Sequence, residues 1–160
     1  MAKKTLRVGG KAPAFALANQ DGKKVALKSL LGKWVVLYFY PKDDTPGCTT
    51  EACEFTSQLA LLDKLGARVL GVSPDSAESH QKFINKHRLK LDLLSDPDHK
   101  VLARYGAWGA KSMYGRKYEG VIRSTVLIDP EGRIAAHWPE VKPAGHAKEV
   151  RERLGELGVS

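Results

Sequence analysis

Two cysteines, Cys48 and Cys53, are the only thiols in this 160-residue chain, and both lie in one stretch: Tyr40-Pro41-Lys42-Asp43-Asp44-Thr45-Pro46-Gly47-Cys48-Thr49-Thr50-Glu51-Ala52-Cys53. With Thr45 as N-cap, Pro46 takes the first helical position, which proline favours, and Cys48 the third. The Thr45 hydroxyl can then accept from the Cys48 backbone N–H. In the first turn, unpaired N–H groups and the positive end of the helix dipole stabilise an anion, so Cys48 sits where a thiolate is readily formed and can act as a nucleophile. The bland alternative is a pair of core cysteines. Thr-Pro-Gly-Cys is a polar turn rather than an apolar core position, which argues against it for Cys48; for Cys53 alone, a small buried hydrophobe is the usual state. Zinc is not expected, because no second Cys or His pair stands at ligand spacing.

The surrounding elements follow from periodicity. Residues 1–13 are a polar lead-in ending in Ala12-Pro13. Phe15, Leu17, Val25 and Leu27 alternate around the turn Asn19-Gln20-Asp21-Gly22 and predict a short hairpin. Trp34 to Tyr40 is a continuous apolar run stopped by Pro41, expected to be a strand buried on both faces. Phe55, Leu59, Leu62 and Leu65 recur at helical spacing before Gly66, and Ala67–Ser73 is the next strand, giving one right-handed βαβ unit. A second helix runs from Pro74-Asp75-Ser76 to about Arg88. Leu91–Ser95 is extended, and Asp96-Pro97-Asp98 caps a helical turn. Residues 106–120 carry four glycines and no clean period and are read as an ordered loop. Val121–Ile128 and Arg133–Trp138 form a hairpin around Asp129-Pro130-Glu131-Gly132, and Gly145–Leu157 is a closing amphipathic helix.

A parallel pair followed by an antiparallel hairpin and a closing helix resembles the thioredoxin-type fold: an α/β chain with a central mixed sheet flanked by helices, here with an N-terminal β-hairpin, in one domain over residues 1–160. That resemblance sets strand 34–40 antiparallel to strand 122–128 and makes Pro41 and Arg123 spatial neighbours. Arg123 would bring a fixed positive charge and donors for an oxygen ligand to Cys48.

The motif Pro41-x-x-x-Thr45-x-x-Cys48, with Arg123 in Gly120-Val-Ile-Arg-Ser-Thr, resembles the peroxiredoxin active-site signature. Cys53, the Tyr40–Cys53 stretch and Met113-Tyr-Gly-Arg-Lys-Tyr118 resemble the atypical peroxiredoxin Q, or bacterioferritin-comigratory-protein, subgroup. The resemblance runs from about Gly9 to Leu157. It implies a thiol-dependent peroxidase for hydrogen peroxide and organic hydroperoxides. Cys48 would be the peroxidatic cysteine, oxidised to a sulfenic acid. Arg123, Thr45 and the Cys48 N–H would hold the peroxide, and Pro41 would shield the sulfur. Cys53 would be the resolving cysteine, and thioredoxin or a similar dithiol protein would reduce the Cys48–Cys53 disulfide. Members with an in-helix resolving cysteine can work as monomers, and a dimer stays open. No cofactor motif appears. Helical residues five apart have Cα atoms roughly 8.5 Å apart, whereas a disulfide tolerates at most about 7 Å. The segment from about Pro46 to Phe55 is therefore expected to unwind before the two sulfurs can join.

The bulk properties set the alternatives. Apolar residues make up 42% of the chain and charged residues 28%, the balance of a soluble globule with its own core. No secretory signal or membrane-length apolar run is present, so a cytoplasmic protein that binds no membrane is expected. The net charge of +8 suggests a second function, a thioredoxin-like binding module with a basic face and inert cysteines. The basic residues are dispersed, however, so nucleic acid is not the expected partner. A thioredoxin-type disulfide oxidoreductase is disfavoured by the Cys-x4-Cys spacing and by Ser124 where thioredoxins carry a cis-proline. Glu51 favours a helix N-terminus and could also orient Arg123. Trp108, Met113 and Tyr114 are either loop packing or the mouth of the site. The histidines at 80, 87, 99, 137 and 146 are scattered and read as surface residues.

Overall fold

The structure is a computed structural model that describes residues 6–157, apart from the side chain of Met113. The buried Trp34–Tyr40 run forms its centre, with strand β3 over Trp34–Phe39. Successive side chains of a strand point to opposite faces, and here both faces are covered. Val35, Leu37 and Phe39 enter one apolar cluster, while Val36, Tyr38 and Tyr40 enter the other.

The remaining elements assemble around that strand. An N-terminal hairpin pairs β1 (Ala16–Ala18) with β2 (Lys24–Ala26), as the alternation of Phe15 to Leu27 predicts. A 3₁₀ turn over Leu27–Leu30 leads into β3. Helix α1 (Pro46–Lys64) connects β3 to the parallel strand β4 (Ala67–Ser73), and Gly66 takes a φ of 76° where the chain turns back. Helix α2 (Ala77–His87) opens on Ser76, whose hydroxyl accepts the Ser79 N–H at 3.1 Å. Strand β5 (Asp92–Ser95) and the short helix α3 (Lys100–Arg104) follow.

Residues 106–120 are not a loop. They hold strand β6 (Trp108–Met113) and most of β7 (Arg116–Val121), an antiparallel pair outside the main sheet. Tyr114 and Gly115 both take positive φ in the two-residue turn, the backbone such hairpins require. Nearly every side chain of β7 is exposed, so no apolar alternation marks it in the sequence.

Strands β8 (Ser124–Ile128) and β9 (Ile134–Trp138) then return to the main sheet, and α4 (His146–Glu156) closes the chain. The seven-stranded sheet has the order β2-β1-β5-β4-β3-β8-β9. This is the mixed, thioredoxin-like arrangement expected. One boundary moves: the expected strand from Val121 to Ile128 is interrupted at Ile122-Arg123, which link two different sheets. The register of β3 against β8 runs from Val35 opposite Ile128 to Phe39 opposite Ser124. The end of β3 and the start of β8 thus lie side by side, with Pro41 leaving one and Arg123 entering the other.

Candidate active site

The site is built where α1 begins. Thr45 has extended backbone, its carbonyl accepts the Thr49 N–H at 2.8 Å, and Pro46 occupies the first turn. The N–H groups of Gly47 and Cys48 therefore lack intrahelical acceptors. Cys48 is buried, at 1% exposure. The expected bond from the Cys48 N–H to the Thr45 hydroxyl is absent. That hydroxyl instead donates backwards to the Lys42 carbonyl at 2.9 Å and makes no cap bond. The Lys42–Thr45 turn offers the hydroxyl a backbone acceptor three residues back.

Arg123 arrives from the link between β7 and β8, with its own carbonyl held by the Val141 N–H at 2.9 Å. Its Nη2 donates to Cys48 Sγ at 3.2 Å and its Nη1 to Glu51 Oε1 at 2.7 Å. One planar guanidinium thus spans the two residues on α1. Glu51, one turn after Cys48, is completely buried, and its Oε2 has no hydrogen-bond partner among the described residues. Burial pushes its carboxyl up to about 7, against the opposing pull of Arg123. The first turn of α1 holds no acidic residue, so Glu51 is not placed to favour the helix N-terminus; it is placed instead to orient the arginine.

Two further contributors carry no sequence signal of their own. Gly47 sits where a Cβ would meet Arg123 Nη2 at 3.2 Å and Pro143 Cγ at 3.2 Å, so the bare backbone lets the guanidinium reach the helix start. Lys111, on β6, donates to the Val121 carbonyl at 2.8 Å. Its ammonium is held below the ordinary lysine range, first by burial and then by the nearby Arg123. A groove of about 360 Å³ opens beside Arg123 between Lys111, Ser112, Ile122 and Val141.

The other predicted residues fall as follows. Pro41 is half-buried, directly after Tyr40, whose N–H donates to the Val72 carbonyl at 3.1 Å. Cys53 is exposed on α1, and both cysteines are free thiols. Trp108 packs partly into the first core cluster, stacks on His99 and donates to Glu119. Tyr114 is fully exposed at the hairpin tip, and the Met113 side chain lies outside the described residues. The reading of the histidines as surface residues is corrected. His80 and His146 are buried, the other three are half-buried, and each is tied to a partner group. Single-residue positions of a polar type show no period, so their burial could not be read from spacing.

Chemically, the arrangement presents a buried sulfur at a helix N-terminus with a fixed cation against it. Such a setting stabilises a thiolate and offers donors to an oxygen-bearing ligand.

Comparison with known proteins agrees with this geometry. Residues 8–137 match the AhpC/TSA family. The chain is 51% identical over 150 residues to a putative peroxiredoxin bcp of Coxiella burnetii, covering 94% of this chain and 99% of that one. It is 45% identical over 153 residues to peroxiredoxin Bcp of Bacillus subtilis, covering 96% and 98%. Among solved structures, the bacterioferritin comigratory protein of Xanthomonas campestris, studied for its alkyl peroxide reduction activity, superposes with a TM-score of 0.85. It shares 42% identity, over 89% of this chain and 90% of that one.

Proposed function

This chain belongs to the AhpC/TSA family as a peroxiredoxin of the Bcp, or peroxiredoxin Q, type, and we propose that its thiol-dependent peroxidase chemistry runs from Cys48 to Cys53. The observation that carries this assignment is Arg123 Nη2 at 3.2 Å from the buried Cys48 Sγ, with the guanidinium's other nitrogen clamped by Glu51.

In the first step the Cys48 thiolate attacks one peroxide oxygen. The S–O bond forms as the O–O bond breaks, and the leaving oxygen takes a proton to become water or an alcohol. Arg123 and the free N–H groups at the start of α1 stabilise charge moving onto the leaving oxygen. Thr45, with its hydroxyl hydrogen engaged by Lys42, has lone pairs to accept a peroxide O–H. Pro41 shields the sulfur from bulk water. The groove beside Arg123 has room for the organic part of a hydroperoxide, so both hydrogen peroxide and alkyl hydroperoxides are substrates.

In the second step the Cys53 thiol attacks the Cys48 sulfenic acid, water leaves, and an intrachain disulfide forms. Both cysteines lie within α1, so the helix must open at its start for this step. The family works with peroxide substrates and thioredoxin-like reductants, and the exposure of Cys53 suits reduction by thioredoxin. Among the described residues no helix is long and apolar enough to cross a membrane. We assign the chain to the cytoplasm as one domain over residues 1–160. It acts as a monomer, because the disulfide is intrachain, and binds no nucleic acid or membrane.

The test is a peroxide panel in a thioredoxin-coupled assay on the wild type, Cys48→Ser and Cys53→Ser. Cys48→Ser should have no turnover. Cys53→Ser should consume one equivalent of peroxide and then stop. Sustained turnover in Cys53→Ser would overturn the resolving role, and turnover in Cys48→Ser the whole assignment.

A further inference from the structure

Helix α1 meets the C-terminal part of the chain along one stripe. Gly47, Glu51, Glu54 and Gln58 stand four, three and four residues apart, so they share a face of the helix. Each of them meets a residue that follows β7. A Cβ at Gly47 would lie 3.2 Å from Pro143 Cγ, and Glu51 Oε1 accepts Arg123 Nη1 at 2.7 Å. Glu54 Oε1 accepts the Gly145 N–H at 2.9 Å, and Gln58 Oε1 accepts Arg151 Nε at 2.7 Å. The Val141 N–H donates to the Arg123 carbonyl at 2.9 Å, which joins the segment leading into α4 to the arginine of the site.

Glu54 is the member of this stripe that the thiol chemistry above does not use. Its partner Gly145 is the N-cap of α4, takes a φ of 81° and has no side chain with which to cap that helix. The acidic residue in the first turn of α4, Glu149, is turned to His146 Nδ1 at 2.9 Å. The acceptor for the Gly145 N–H is therefore supplied by α1, and an acidic side chain at a helix start is favoured by the helix dipole as well as by the bond. Glu54 directly follows Cys53, which is exposed. While the Glu54 side chain is held on α4, the backbone at Cys53 stays in the closed helix, where its sulfur cannot reach Cys48. Gln58 lies one turn further on, toward the completely buried Leu62.

We propose that Glu54 is a positioning residue for disulfide formation: its bond to the start of α4 latches the first turns of α1 closed, and release of that bond sets how often Cys53 can reach the Cys48 sulfenic acid. This rests on the reading of Cys48 as the peroxidatic and Cys53 as the resolving thiol. Two reactions compete for the sulfenic acid. With the latch open, the Cys53 sulfur attacks Cys48 Sγ; the S–S bond forms, the S–O bond breaks, and the hydroxyl leaves with the Cys53 proton as water. With the latch closed, a second hydrogen peroxide meets the same sulfur, one oxygen is transferred, water leaves, and Cys48 becomes a sulfinic acid. The latch thus keeps Cys48 against Arg123 for the first peroxide and lengthens its exposure to a second.

The experiment compares the wild type with Glu54→Ala, Glu54→Gln and Gln58→Ala. Stopped-flow fluorescence separates Cys48 oxidation, which scales with hydrogen peroxide concentration, from disulfide formation, which does not. Mass spectrometry counts sulfinic acid, and amide exchange reads residues 47–55 and Gly145. In Glu54→Ala, disulfide formation and exchange over residues 47–55 should both rise on the order of fivefold, the scale of one lost hydrogen bond, and sulfinic acid should need proportionately more peroxide. Oxidation should keep close to the wild-type rate, because the closed helix stays the major form. Glu54→Gln keeps an oxygen acceptor and should fall between the two. Gln58→Ala loses a tie of the same kind beyond the opening turns, so it should lower the denaturant midpoint while leaving disulfide formation unchanged. Disulfide formation that is unchanged or slower in Glu54→Ala would overturn the proposal, as would an equal acceleration in Gln58→Ala. In the wild type the Gly145 amide should lose its protection when the disulfide forms; equal protection in the two forms would overturn the proposal with no variant needed. A wild type whose Cys48 is not oxidised by peroxide, or whose oxidised form holds no Cys48–Cys53 disulfide, would instead overturn the thiol reading, and exchange in reduced Glu54→Ala would then judge the latch.

Discussion

In the proposed reaction the Cys48 sulfur depends on one arginine whose two terminal nitrogens have different partners, Cys48 and Glu51. Lysine offers a single point of charge and cannot serve both. Arg123→Lys should therefore lower the second-order rate of Cys48 oxidation by about 100-fold, the scale of losing one preorganised donor, while leaving the far-ultraviolet circular dichroism unchanged; stopped-flow tryptophan fluorescence would measure it. Glu51 gives a pH signature. Its carboxyl moves from an ordinary 4.5 up to about 7 because burial disfavours the charge. The fold therefore prefers its protonated form. The associated stability is fully present below about pH 4.5 and is lost as pH rises through about 7, on the order of 3 kcal/mol. Glu51→Gln carries no such charge. Its stability in urea should change less than that of the wild type across this window, and the two curves should diverge as pH rises. Parallel curves would show that Arg123 keeps the carboxylate ionised throughout.

At the scale of elements, the proposed chemistry gives α1 two tasks that conflict. As a helix it presents Cys48 in its first turn, and as a helix it also keeps Cys53 on another side, too far away to bond. The start of α1 is tied to the rest of the molecule by Arg123 to Cys48 and Glu51, by Pro143 close to Gly47, and by Glu54 accepting the Gly145 N–H at 2.9 Å. Opening these turns must also uncover Cys48, Ala52 and Phe55, which are buried in the second core cluster, whereas Leu62, farther along, is completely buried in the same cluster and holds the later turns. The helix is thus anchored by its later turns and can open at its first ones. Amide exchange from Pro46 to Phe55 should rise on the order of tenfold or more in the disulfide form, while Leu59–Lys64 stays protected. Equal protection in the two forms would rule the opening out. The boundaries of α1 are legible in the sequence, because Thr45-Pro46 and Gly66 are strong local stop and start residues. The hairpin of β6 and β7 is not legible, because an exposed strand has no need to alternate.

Across the whole molecule, the site is held in place by packing that reaches to the far side of β3. Tyr38 stacks on Phe55 of α1 at 4.7 Å between ring centroids. On β4, a Cβ at Gly71 would lie 2.8 Å from both Leu93 Cδ2 and Tyr38 Cζ. Gly71→Ala should cost roughly 1–3 kcal/mol by overpacking, measured as a lowered denaturant midpoint. It should also slow Cys48 oxidation, because the displaced Tyr38 ring presses on the helix that carries the thiol. Lost stability with an unchanged oxidation rate would show that the two are uncoupled.

The sequence alone determined what depends on neighbours in the chain. That covers the cysteine pair and its spacing, the capping residues that put Cys48 in a first turn, the doubly buried run at Trp34–Tyr40, and the turns that join the strands. The tertiary structure alone decided which distant groups meet. Arg123 reaches Cys48 across a separation of 75 residues, and His80 reaches Asp43 across 37. It also decided that the Thr45 hydroxyl turns to Lys42 rather than to Cys48. The physical reason is range. Caps and periodicity act within a few residues, whereas these contacts depend on sheet register and on side-chain rotamers settled by packing, and neither leaves a mark in local spacing.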